Sequence, residues 1–69
     1  MPAIKFHLNG ELIQKTSGQS LAELASDLEL TKKKFAIEMN GEIIPKSLHA
    51  STLIEEGAVI EIVHAVGGG

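Results

Sequence analysis

Two Asn-Gly dipeptides, Asn9-Gly10 and Asn40-Gly41, constrain this 69-residue chain more than any other feature. Asn-Gly is the strongest short hairpin signal, because a two-residue type I′ turn demands positive φ at both central positions and these residues tolerate it. The flanking residues agree. Ile4, Phe6 and Leu8 alternate with Lys5, His7 and Asn9, the period-two pattern of a half-buried strand. Glu11-Leu12-Ile13-Gln14-Lys15 reads as the returning strand. Around the second dipeptide, Phe35, Ile37 and Met39 alternate with Ala36 and Glu38. Glu42-Ile43-Ile44 is then a short strand stopped by Pro45, which has no N–H to give a ladder.

Between the hairpins the period changes. After a polar loop at residues 16–19, Ser20-Leu21-Ala22-Glu23 has the form of a capping box, with Ser20 as N-cap and Glu23 reaching back. Leu21, Leu24, Ala25 and Leu28 fall at i, i+3, i+4 and i+7, so a helix is expected at about residues 21–28 with these four on its buried face. The run Thr31-Lys32-Lys33-Lys34 reads as a solvated loop after that helix. Residues 47–54 are expected to be irregular or a single helical turn, anchored by Leu48 and Leu53. Glu55-Glu56-Gly57 turns into a last strand over residues 58–66. Ile60 and Ile62 face the core there, while Val59, Glu61, Val63 and Ala65 share the other side. One helix packed across a mixed four- to five-stranded sheet buries this pattern economically, so the fold class is α+β. Residues 1–66 form one domain, and residues 67–69 are a flexible glycine tail.

Composition narrows the function. A chain this short buries only about 60% of its unfolded surface. That leaves little room for the cavity of several hundred cubic ångströms in which enzymes hold small substrates. Nine acidic against six basic residues give a net charge of −3, which argues against nucleic acid. The chain has two Phe and no Trp or Tyr to stack on bases. It has no cysteine, which excludes disulfides, thiolate metal sites and cysteine nucleophiles and fits a reducing compartment. His7, His49 and His64 are scattered over separate elements, so no metal site is expected. Glu55 and Glu56 read as solvated turn residues. With no apolar leader or run of membrane-spanning length, the expected location is cytoplasmic and off the membrane.

Three stretches carry a resemblance that spans essentially the whole chain. They are Asn40-Gly41-Glu42-Ile43-Ile44-Pro45-Lys46, Leu53-Ile54-Glu55-Glu56-Gly57-Ala58, and the run from Val59 to Val66-Gly67-Gly68-Gly69. The sequence resembles the sulfur carriers of thiamine biosynthesis, the ThiS family, whose fold is the ubiquitin-like β-grasp. That family usually has Asp where Ala58 stands here, a departure confined to a turn.

The resemblance implies a co-substrate and not an enzyme. Gly69 would be adenylylated by an E1-like adenylyltransferase of the ThiF type, converted to a thiocarboxylate with sulfur from a cysteine desulfurase route, and used by thiazole synthase of the ThiG type. ATP would serve the activating enzyme, and the carrier itself would hold no cofactor. Val66, Gly67 and Gly68 would thread into the partner; glycine lacks a Cβ, so it fits a narrow channel at whatever φ the channel sets. If the chain carries sulfur, the absence of cysteine leaves the Gly69 carboxylate as the plausible site. Glu38, Glu61, Val63 and Ala65 would form the docking face, as the open sheet face commonly does in the ubiquitin-like class. Three other readings stand beside this one. The chain could be the small subunit of a molybdopterin synthase, a ubiquitin-like modifier joined to lysine, or a binding module with an inert tail.

Overall fold

A computed structural model describes residues 2–30 and 34–64. The first hairpin is β1 (Ala3–Leu8) and β2 (Glu11–Thr16), in antiparallel register from Leu8↔Glu11 to Ala3↔Thr16. The second is β3 (Phe35–Met39) and β4 (Glu42–Ile44), paired from Met39↔Glu42 to Ile37↔Ile44. Both turns have the positive φ that the dipeptides predict, at 51° and 85° for Asn9-Gly10 and 54° and 84° for Asn40-Gly41. The last strand, β5 (Val59–His64), lies between the two hairpins, parallel to β1 and antiparallel to β3. The result is one mixed five-stranded sheet in the order β2-β1-β5-β3-β4.

The turn asparagines do more than permit positive φ. Asn9 Oδ1 accepts the Ile62 N–H at 2.7 Å, and Asn40 Oδ1 accepts the Val59 N–H at 2.9 Å. Their backbone N–H groups donate to the carbonyls of Ile60 and Val59, each at 2.8 Å. Each hairpin tip therefore clamps β5 from one side. The sequence pattern predicts the turns but not these clamps, because the strand they grip lies about 20 to 50 residues away along the chain.

Helix α1 (Leu21–Asp27) starts at the expected capping box. Ser20 Oγ accepts the Glu23 N–H at 3.1 Å, and Glu23 Oε1 accepts the Ser20 N–H at 2.8 Å. Leu21, Leu24 and Ala25 are buried as the spacing requires. Leu28 is not: it is the C-cap and is 40% exposed. Glu29 enters the left-handed region at φ 60°, and the Leu30 N–H turns back to the Ala25 carbonyl at 2.9 Å. This closure puts Leu30, instead of Leu28, into the core.

A second correction falls in residues 47–54. A 3-10 helix at Lys46–Ser51 follows Pro45, and its buried residue is His49, with Leu48 left exposed. Beyond it the chain extends again, so Leu53 and Ile54 point to opposite sides and Ile54 is the one inside. The core joins Phe6 and Ile37 from β1 and β3 to Ile60 and Ile62 from β5 under Leu21, Leu24 and Leu30.

Candidate functional site

The residues expected to carry chemistry, Gly67, Gly68 and Gly69, lie outside the described residues, as do Ala65 and Val66. The structure instead defines what surrounds the base of that arm. β5 sends Ile60 and Ile62 inward and leaves Val59, Glu61 and Val63 on the far side of the sheet.

Register extends this outer face across the neighbouring strands. Glu61 stands directly opposite Glu38, and Val63 opposite Ala36, on β3. Glu38 in turn faces Ile43 on β4. On the other flank Val59 is level with His7, whose partner on β2 is Leu12. Leu12, Ile43, Val59 and Val63 are 57%, 58%, 48% and 60% exposed, and all four project from this one face.

Glu38, Glu61 and Val63, the expected docking residues within the described part, are thus brought together. Leu12, Ile43 and Ala36 belong to the same face and were missed by sequence reading. Their parity was available: each is on the outward phase of its hairpin. What the pattern lacks is the placement of β5 between the hairpins, which makes those separate phases one surface.

The face can bind but offers little chemistry. Like charges directly opposite each other on adjacent strands repel, so Glu38 and Glu61 suit a partner that brings a cation between them. The surrounding side chains are aliphatic, as in the core of a protein interface with a charged rim. Among the described residues, no group of three or more His, Asp or Glu is placed to hold a metal ion. No helix among them is long and apolar enough to cross a membrane. His7 lies on the outer face beside Leu12 and Val59, His64 ends β5, and His49 is buried.

The sequence pattern of the ThiS family matches residues 6–69, which is nearly the whole chain and includes the glycine end. The chain belongs to the ThiS family. A thiazole synthase of Magnetococcus marinus is 33% identical over 66 residues, which are 96% of this chain but 20% of that protein. The chain therefore spans about a fifth of the length of that relative. An uncharacterised protein of Porphyra purpurea, ycf40, is 35% identical over 96% of this chain and 93% of its own length. In structure, the thiamine biosynthesis protein ThiS of Geobacter metallireducens superposes with a TM-score of 0.76 at 24% identity, covering 96% of this chain and 100% of that one. The mixed sheet with one α-helix among the described residues is thus the β-grasp fold.

Proposed function

We propose that this ThiS-family chain carries sulfur as a thiocarboxylate on Gly69 and delivers it to a thiazole synthase. The observation that carries the reading is the family match running through to residue 69, so that the Gly-Gly end is part of the matched pattern. An oxygen of the Gly69 carboxylate attacks the α-phosphorus of ATP on an E1-like activating enzyme, and pyrophosphate leaves. The terminal sulfur of a persulfide, supplied through a cysteine desulfurase route, then attacks the acyl-adenylate carbonyl and AMP departs; a thiol cleaves the resulting acyl disulfide, releasing the thiocarboxylate and leaving a disulfide. The chain supplies the electrophile and is a recycled co-substrate, with no bound cofactor of its own. Residues 66–68 thread into the partner, and the outer face around Glu38, Glu61 and Val63, continued by Ala65, docks it. The lack of cysteine fits this work in a reducing cytoplasm.

The similarity to a thiazole synthase favours the thiamine route over the molybdopterin synthase subunit and the protein modifier. The test is intact mass after incubation with ATP, a ThiF-type enzyme and a sulfur source. The expected sequence is an acyl-adenylate followed by replacement of one oxygen by sulfur. Deleting Gly68-Gly69 should abolish both species and leave the melting temperature unchanged. Persistence of either species in the truncated chain would move the site away from the C-terminus. High-mass lysine conjugates would point to the modifier instead.

A further inference from the structure

We propose that the open edge of β2 pairs with the same edge of a second copy of this chain, joining the two sheets across a two-fold axis at Ile13. The pairing is independent of the carrier reading, since it uses neither the glycine end nor the face around Val63.

β2 is the outermost strand on one side of the sheet, and its ladder among the described residues is to β1. The phase of that ladder fixes which backbone groups are left over. The Ser17 N–H donates to the Pro2 carbonyl at 3.1 Å, so residue 17 faces β1. The His7 N–H goes the other way, to the Ala58 carbonyl at 2.8 Å, so the His7↔Leu12 pair is not a bonded one. Antiparallel pairs alternate between bonded and unbonded. Glu11, Ile13 and Lys15 therefore direct their N–H and C=O groups to β1, while those of Leu12, Gln14 and Thr16 point out of the sheet.

Natural sheets blunt an edge by making it short or by placing a proline or a bulge on it. The opposite edge, β4, is three residues long and is followed by Pro45. β2 runs for six residues without a proline, and its register with β1 has no break. The helix does not cover it. Glu11, Leu12, Gln14 and Thr16 are exposed, and an open hollow of about 360 Å³ borders Lys15 and Thr16 together with Glu23 and Asp27.

Charge selects both the partner and the register. Glu11 and Lys15 share one side of β2, with Ile13 midway between them. A second copy running antiparallel, with Ile13 opposite Ile13, sets Glu11 against Lys15 in both directions, and opposite charges so placed attract. The same register puts Leu12 level with Gln14 of the other copy, so their outward N–H and C=O groups satisfy each other. Moving the axis to Gln14 would set Ile13 against Lys15, and moving it to Leu12 would set Ile13 against Glu11. Because β4 offers no comparable edge, the assembly closes at two copies instead of growing into a fibre. β1 separates β5 from the joined edge, so Glu61 and Val63 stay uncovered.

A contact through one strand is at the small, transient end of specific interfaces. Sedimentation equilibrium of the full chain, carried to about 1 mM so that weak association is visible, should show a monomer–dimer equilibrium. Glu11→Lys alone and Lys15→Glu alone set like charges opposite each other, and each should weaken the dimer about tenfold or more. An equimolar mixture of the two variants should dimerise as the wild type does, because every lysine again meets a glutamate. An effect of Lys15→Glu on Glu23 and Asp27 within its own copy is not reversed by mixing. Amide exchange at Leu12 and Gln14 should slow as concentration rises, while that at Ile13, already bonded to Phe6, should not. Val63→Asp, on the outer face, should leave the association unchanged. A wild-type chain that stays monomeric would overturn the proposal, as would a mixture no more associated than its components. Loss of the dimer in Val63→Asp would also overturn it, by moving the contact to the outer face. None of these readouts involves the activating enzyme, so their failure leaves the carrier reading standing.

Discussion

Glu29 occupies the left-handed position that closes α1, a place where most helices use glycine. The strain is accepted because the closure brings Leu30 into the core beside Ala25. Relieving it should stabilise the protein. Glu29→Gly is expected to raise the unfolding free energy by about 0.5–1 kcal/mol, the left-handed penalty less the added chain entropy of glycine. Urea denaturation at unchanged m-value would show it, and a loss of stability would mean that the Glu29 side chain does unrecognised work. Ser20 and Glu23 contrast with Glu29 in legibility. Both capping partners lie within one turn, so the local pattern contained the whole interaction. At the other end, Leu28 and Leu30 were equally apolar candidates, and burial of one over the other depended on the sheet beneath them.

The hairpins are the elements that the sequence specified best, yet their tips hold a strand that local pattern could not place. Asn9→Gly keeps a residue able to adopt the turn but removes the acceptor for the part-buried Ile62 N–H. It should cost about 2 kcal/mol, within the range for leaving such a donor unpaired. Asn40→Gly removes a bond in an exposed position, to Val59, and should cost about 1 kcal/mol or less. Parallel chemical denaturation of the two variants checks the order, and equal costs would mean that only the turn conformation matters. The segment at residues 47–54 was the least legible. A 3-10 turn and an extended stretch succeed each other within a few residues there, so neither the period of a helix nor that of a strand persists long enough to identify the inward side chains.

For the whole molecule, the outer face is the feature with consequences beyond stability. Val63 is among its most exposed side chains, so Val63→Asp should lower folding stability only by about 1 kcal/mol, from strand propensity and like-charge repulsion, and leave the chain folded. If the face docks the activating enzyme, the same change should raise KM for the carrier about tenfold or more, the effect of an interface anchor lost to a third like charge beside Glu38 and Glu61. Leu48→Asp, an exposed leucine on the 3-10 helix, serves as the control and should leave KM alone. Steady-state exchange kinetics separate the two variants, and matching KM values would remove the face from the docking reaction.

The chain's own pattern determined both hairpins, the capped helix, the inward phase of Ile60 and Ile62, and the glycine end with its family resemblance. Each of these is written in residues a few positions apart, where propensity and periodicity act. Only the tertiary structure decided that β5 lies between the hairpins, that Leu12 and Ile43 join Val59 and Val63 on one face, and that His49 rather than Leu48 is buried against Phe35. Those outcomes depend on contacts between segments distant in sequence, set by how the strands pair and how a small core closes, and no local period records them.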